Sequence, residues 1–346
     1  MTWTRIAVVG AGAIGRSHIA VIEALPEAEL AAIVDPSPSA RGIAGAGVPV
    51  FDAIEAMLQT VRPDGVVLAT PNQLHVPGAL ACLAAGVPVL VEKPLADGLE
   101  EGRRLVEAQA RAGVPVLVGH YRRHNPILRK AREIVRSGQL GRITCVVATC
   151  LVLKPDDYFE VSWRVQPGGG PVLINLVHDI DNLRFICGDI VAVQAVASNV
   201  ARRHPVEDSA AAAVLFADGA VGTFCVSDAA AGPYSWELSA GENRLYPRQF
   251  ESCYLVSGTE GTLSLPMLEV WSYPRGRGWS APLAREIAPV TPADPLVEQM
   301  RHFLRVIRGE EAPLVDAADG LRTLETVLAV GRSAQAGARV ALAPAA

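Results

Sequence analysis

The sequence predicts an α/β protein: a first domain built on a parallel sheet with helices on both faces, followed by an α+β second domain. Three observations carry this reading. Short apolar runs at 5–9, 30–34, 65–70, 88–93 and 115–121 alternate with helical segments of about a dozen residues, and strands this uniformly apolar are buried on both faces. A glycine cluster, GAGAIG at 10–15, lies where the first strand gives way to a helix. After residue 140 the pattern shifts to longer strands and short turns, with Ala217-Asp218-Gly219 a strong hairpin signal. The chain has 346 residues, more than one core usually holds, so two domains are expected, at 1–123 and 124–346.

In order, RIAVV ends in glycine and the pattern becomes helical through about Leu25. Leu30–Val34 is the second strand and stops at Asp35, and GVVLAT, PVLVEK and PVLVGHY supply the later ones. Residues 126–137 form a short helix closed by Ser137-Gly138, and 143–153 a long strand. Gly168-Gly169-Gly170-Pro171 then leads into a helix over about 172–187. Strands follow at 191–201, in the Asp-Gly hairpin, and in a second hairpin made by ESCYLVSG and TLSLP. Asp294-Pro295 is an N-cap with proline at the first helical position, and Leu296, Met300, Phe303, Leu304 and Ile307 make one apolar helical face. The last helix, about 316–336, ends at Gly337 and is expected to pack back on the first domain.

Composition excludes several functions. A net charge of −5 and a pI near 5.8 argue against non-specific nucleic-acid binding. The longest apolar stretches, such as Ala79–Val91, are interrupted by Gly and Pro and fall short of the roughly 20 residues of a membrane span. Six cysteines show no CxxC and no zinc spacing, and no targeting segment precedes the first strand, so reduced thiols, no metal and a cytoplasmic location are expected.

Gly10, Gly12 and Gly15 fit the GxGxxG pattern of dinucleotide binding, which is specific only in context; here it follows a strand, opens a helix at Ala13-Ile14 and precedes Asp35 by 20 residues. Gly10 permits the tight turn, Gly12 lets a pyrophosphate approach the backbone, and Gly15 lets the helix close on the sheet. The helix N-terminus offers unpaired N–H groups to phosphate. Asp35 accepts from the ribose hydroxyls and repels a 2′-phosphate, favouring NAD over NADP; Arg41, six residues on, softens that preference. Later strand ends face the same cofactor edge. They contribute Thr70-Pro71-Asn72 with His75, Glu92-Lys93-Pro94, and His120-Tyr121-Arg122-Arg123. The strand at 88–93 delivers Lys93 to that edge, and Pro94 fixes the turn behind it.

In the second domain, helical spacing puts Asn175, His178 and Asp181 or Asn182 on one face of the 172–187 helix. The glycines before it give a ligand room to approach. Asp181 orients the imidazole or serves a local cap or salt bridge; both remain open.

These motifs together resemble the glucose–fructose oxidoreductase / inositol dehydrogenase / rhizopine-catabolism (Gfo/Idh/MocA) family: GAGAIG, TPNQLH at 70–75, EKP at 92–94, GHYRRHNP at 119–126, GGGPVLINLVHDID at 168–181, GTEGTLSL at 258–265 and the final DGLRTLETVLAVGRSA. The resemblance runs nearly end to end. It implies an N-terminal Rossmann domain, then a C-terminal α+β domain with a large, mostly antiparallel open sheet that assembles the protein as a homodimer or homotetramer. It also implies a lysine in EKP, an aspartate, and a histidine four residues after that aspartate. Lys93 and His178 match, but Ile174 stands where the aspartate would be and Asn175 follows it. Either Asn175 positions the substrate hydroxyl or another acid, Asp179 or Asp181, is used.

The expected function is an NAD(P)-dependent dehydrogenase of a secondary alcohol or ketone on a sugar, cyclitol or related polyol. His178 is the better acid/base, since an unperturbed imidazole titrates at ~6.5 while a lysine at ~10.4 must fall by more than 3 units, about 4–5 kcal/mol, to be half neutral at pH 7. Lys93 is then the electrostatic and orienting group. Tyr121, Arg122 and Asn175 complete the expected substrate contacts, and Glu92, Arg122 and Arg164 the cofactor contacts. Arg123 is a further candidate for the cleft or for a salt bridge. Tyr158, Tyr234, Trp236 and Tyr254 are candidates for a sugar-facing wall or for the core. Two other functions fit the same residues: a dihydrodiol-type dehydrogenase with an aromatic substrate, and a non-catalytic NAD(P)-binding regulator.

Overall fold

A computed structural model describes residues 3–45, 47–243 and 246–343. The chain packs as two units, Met1–His124 with Asp294–Leu324, and Asn125–Ala293 with Glu325–Ala346.

The first unit opens with β1 (Thr4–Val9), α1 (Ala13–Ala24), β2 (Ala28–Val34), β3 (Val50–Phe51), α2 (Ile54–Val61), β4 (Gly65–Leu68), α3 (His75–Ala84), β5 (Val89–Val91), α4 (Leu99–Ala112) and β6 (Val116–Val118). Its six strands are all parallel, in the order β3-β2-β1-β4-β5-β6. The order reverses between β1 and β4, and a crevice at the carboxyl ends of the strands follows from that reversal. β4, β5 and β6 are buried along their whole length, as their unbroken apolar runs require.

The second unit begins with α5 (Pro126–Arg136), capped by the Asn125 side chain, and β7 (Ile143–Leu151). A π-helical turn, Val172–Leu176, runs into α6 (Val177–Cys187). Then come β8 (Ile190–Ser198), β9 (Ser209–Phe216), β10 (Val221–Ser227), α7 (Trp236–Ser239), β11 (Tyr254–Gly258), β12 (Gly261–Leu265), β13 (Glu269–Ser272) and β14 (Ala284–Ile287). The chain closes with α8 (Pro295–Ile307), α9 (Ala317–Ala336) and β15 (Val340–Ala341). The second sheet has nine strands in the order β14-β13-β12-β11-β7-β10-β9-β8-β15, antiparallel throughout except for β7 beside β10. Both expected hairpins form: β9 pairs with β10, and β11 with β12.

Two features depart from the sequence reading. Residues 294–324 belong with the first unit, because the apolar face of α8 (Met300, Phe303, Leu304) packs into the same core as Ile6, Ile19, Ile22 and Ile33. The helix expected over 172–187 is in two parts. A π turn holds about one residue more than an α turn, so Asn175 lies in the π turn and His178 on the first turn of α6 rather than both on one regular helix.

Candidate functional site

In the first unit the glycine motif is fixed by contact geometry. Gly10 has φ +92°, and a Cβ there would lie 2.5 Å from the Ala69 carbonyl oxygen; one at Gly15 would lie 1.9 Å from the Gly10 oxygen. Gly12 differs: a Cβ would meet nothing within 4 Å, and no side chain caps the α1 N-terminus it opens. The exposed N–H groups there suit an anionic ligand. Asp35 holds the loop it faces, one carboxylate oxygen accepting from Ala11 N–H at 2.7 Å and the other from Ser37 N–H at 2.8 Å.

A cavity of about 530 Å³ opens beside it, lined by Gly10, Asp35, Thr70 and Pro71, and by Asp52 and Glu55 from the start of α2. The three carboxylates in this lining strengthen the bias against a 2′-phosphate; Arg41 is exposed and is not among the residues lining this cavity. Thr70 Oγ1 is buried without a hydrogen-bond partner, an orphan that a ligand hydroxyl or amide would satisfy. Ala13 and Ile14 are exposed, and Asn72 starts a short 3₁₀ turn at the same strand end. An open glycine, an uncapped helix N-terminus, acidic groups for ribose hydroxyls and an orphan hydroxyl together fit NAD.

The end of β5 lies on the same strand edge. Glu92 N–H donates to Leu68 oxygen at 2.9 Å and Gly119 N–H to Val91 oxygen at 2.7 Å, extending the sheet beyond the strands. Glu92 is 5% exposed; its Oε1 lies 2.8 Å from Nε2 of fully buried His18, and its Oε2 accepts the backbone N–H of Lys93 at 3.1 Å. Burial alone pushes this carboxyl up, but the hydrogen bond and charge of His18 and the charge of Lys93 win, and the net shift is downward. A Cβ at Gly119 would approach within 3.0 Å of the Glu92 carboxyl, so glycine there leaves it room.

Beyond Lys93 the cis Lys93–Pro94 bond leads to a second histidine. His75 Nδ1 lies 2.8 Å from Pro94 oxygen and its Nε2 3.0 Å from Thr70 oxygen. Burial lowers its pKa against the pull of those two carbonyls. The ring thus ties the ends of β4 and β5 together rather than presenting a free nitrogen. Arg122 is 2% and Arg123 4% exposed, the latter paired with Asp319, and Tyr121 is half-buried beside them.

In the second unit, His178 is 7% exposed on the first turn of α6. In the preceding π turn, Asn175 Oδ1 is buried without a hydrogen-bond partner. The glycines before the turn admit the chain's own atoms. A Cβ at Gly169 would lie 2.5 Å from the Trp163 oxygen, and one at Gly170 2.3 Å from Glu207 Oε1. Glu207 Oε1 accepts the Val172 N–H at 3.2 Å and so caps the π turn; its pKa is raised, chiefly by burial. Asp179 is buried and accepts the Tyr254 hydroxyl, whose oxygen in turn accepts from Asn182 Nδ2 at 3.0 Å. Trp236 stacks on Tyr254 with ring centroids 5.5 Å apart, and both are fully buried. These two aromatics are therefore core, while Tyr234 is exposed and Tyr158 carries the Arg164 guanidinium 4.0 Å above its ring. Arg164 also donates to the Tyr158 carbonyl at 2.8 Å.

His18, Asp52 and Glu55 were absent from the sequence reading, and Gly119 entered it only as part of the GHYRRHNP run. Only His18 left a local signal: it stands three residues after Gly15, on the face that the helix turns to the sheet.

The profile for the oxidoreductase family with NAD-binding Rossmann fold matches residues 4–120, and that for the GFO/IDH/MocA C-terminal domain matches 128–264. This chain belongs to the Gfo/Idh/MocA family. It is 30% identical to 1,5-anhydro-D-fructose reductase of Ensifer adhaerens over 82% of this chain and 81% of that one. Inositol 2-dehydrogenase of Corynebacterium glutamicum is 37% identical over 55% of this chain and 56% of its own length. Some curated relatives are thus matched over little more than half their length. Among solved structures, the WlbA dehydrogenase of Bordetella pertussis in complex with NADH and UDP-GlcNAcA aligns with a TM-score of 0.81 and 28% identity, covering 99% of this chain and 100% of that one. Among the described residues no helix is long and apolar enough to cross a membrane, and no three His, Cys, Asp or Glu side chains are grouped to hold a metal ion.

Proposed function

We propose that this chain is an NAD-dependent dehydrogenase acting on a secondary alcohol, or the matching ketone, of a sugar, cyclitol or related polyol. The observation that carries the reading is the end of β5. A buried carboxylate grips the backbone of Lys93, and a buried imidazole faces the carbonyl of the next residue, at the strand edge that also carries the dinucleotide cavity. A lysine that serves only as surface charge needs no such support. The anhydrofructose reductase and inositol dehydrogenase names among its relatives support the substrate class.

Bound NAD supplies the hydride acceptor. His178 takes the hydroxyl proton as the carbinol is oxidised and returns it in the reverse direction. Lys93 faces the hydroxyl oxygen and stabilises the negative charge that develops on it. Asn175, in place of a carboxylate, orients the hydroxyl through its amide. Asp179 is committed to Tyr254, which favours Asn175 over Asp179 for this task.

The test is absorbance at 340 nm with NAD and a panel of sugars, cyclitols, nucleotide sugars and dihydrodiols. Lys93→Ala and His178→Ala should each lower kcat at least about 100-fold while NADH affinity, read by fluorescence, is retained. Unchanged turnover in either variant refutes its assigned role. Turnover confined to dihydrodiols selects an aromatic substrate. NADH binding with no turnover on any member selects a regulator, the reading that Ile174 in place of an aspartate supports.

A further inference from the structure

We propose that His18, on the dinucleotide-binding helix, is a positioning residue for Lys93, acting through the buried carboxylate of Glu92. The proposal rests on the catalytic role given to Lys93 above, and its test is separable from that role.

The geometry is a three-residue chain that joins helix α1 to the strand end after β5. His18 is 0% exposed, and its Nε2 lies 2.8 Å from Glu92 Oε1. With Glu92 held ionised, that nitrogen is the donor and the carboxylate oxygen the acceptor. The other oxygen of the same carboxylate accepts the Lys93 N–H at 3.1 Å. One carboxylate therefore connects the helix that opens at the phosphate-binding turn to the backbone of the lysine. Gly119 preserves the space this needs, since any side chain there would press on the Glu92 carboxyl.

Stability alone does not account for the arrangement. A buried ion pair or charged hydrogen bond seldom stabilises a fold more than an apolar pair of equal volume. His18 lies among Gly15, Ile19 and Ile22 on the buried face of α1, where leucine would serve packing as well. Its gain is in placement and charge. Glu92 and the ammonium of Lys93 interact electrostatically, and His75 feels the same ammonium. A carboxylate kept ionised beside Lys93 favours the charged over the neutral amine, and the charged amine is the form that stabilises developing alkoxide charge. Without His18, the burial of Glu92 is opposed by Lys93 alone, and the carboxyl shifts toward its neutral form.

The chain has only three lysines, Lys93, Lys130 and Lys154, so acetylation can be read one lysine at a time. Lys130, 28% exposed and paired with Glu133 at 2.7 Å, lies away from the substituted positions and serves as internal reference between variants. The experiment is competitive acetylation with acetic anhydride at pH 8, with the Lys93-to-Lys130 ratio measured by peptide mass spectrometry. Glu92→Gln should raise the ratio about threefold or more, since only the unprotonated amine reacts. His18→Leu should raise it in the same direction, the double variant should go no further than Glu92→Gln, and His18→Gln, which keeps a donor, should stay near the wild type. Melting temperature and NADH binding show whether each variant is folded, and Glu92→Gln, being isosteric, keeps the test open if His18→Leu is not. A wild-type ratio in His18→Leu, or an effect that adds to that of Glu92→Gln, overturns the proposal. The predicted ratios in a protein that turns over no substrate would uphold this linkage and reject the dehydrogenase reading instead. Where a substrate is found, His18→Leu should lower kcat about tenfold or more with KM for NAD unchanged, the signature of a misplaced group.

Discussion

Asp179 follows His178 directly in the chain, and what it does decides how firmly the imidazole is held. Its carboxylate is 1% exposed and takes the Tyr254 hydroxyl, while Asn182 donates to the same tyrosine at 3.0 Å and Trp236 covers its ring. The first turn of α6 is thereby pinned to β11 by polar bonds that close within the core. Tyr254→Phe keeps the ring and removes the donor, leaving a buried carboxylate with one bond fewer. That should cost about 1–3 kcal/mol, seen as a lower urea midpoint with an unchanged m-value. A midpoint equal to that of the wild type would mean the hydroxyl contributes nothing to holding the turn. The tyrosine was visible in the sequence only as an aromatic of undecided place, because its partner lies 75 residues away.

At the scale of elements, the glycines of the first loop separate fold from binding. Gly15 is demanded by the chain itself, with no room for a Cβ against Gly10, whereas Gly12 faces open space at φ −69°. Gly12→Val should therefore leave the melting temperature unchanged yet weaken NADH binding at least about tenfold in a fluorescence titration, because only the ligand needs that space. Lost stability in that variant would show that Gly12 serves the fold. The same contrast explains what the sequence revealed. Local rules set the strand, the tight turn at Gly10, the helix start and the acidic residue after β2, so all four were legible. The link between His18 and Glu92 spans 74 residues, and Asp52 and Glu55 join the cavity only because β3 pairs beside β2. Neither leaves a periodic trace. The π turn escaped for another reason: a single change of hydrogen-bond register within an apolar helical pattern leaves that pattern unaltered. The three glycines before it looked like room for a ligand, but Glu207 and the backbone at 163–164 fill most of that room.

At the scale of the whole molecule, the nine-stranded sheet raises the question of what covers it. One face is buried by the alternation along β7, β9 and β10. The other presents Cys145 and Val147 of β7, Val221 and Thr223 of β10, Ala211 and Ala213 of β9, Val196 of β8 and Leu255 of β11, with Arg339 lining the same surface beside Cys145, Ala213 and Val221. Val196 is 69%, Val221 54% and Leu255 43% exposed. Five adjacent strands at the usual spacing give a patch on the order of 500 Å², at the upper end of what a monomer leaves uncovered. A second copy of this chain is the occupant that fits best. The sheet's own side chains here are uncharged and mostly small, and such a broad surface can pack on itself about a two-fold axis. The expected outcome is a dimer or larger assembly by light scattering. Val196→Glu with Val221→Glu should convert it to monomer, because a two-fold contact meets each new charge twice and buries it without a partner. NADH affinity should survive, since its cavity is built within the first unit. A wild-type protein that is monomeric, or a double variant that keeps its assembly, would show that this face is not where the copies meet.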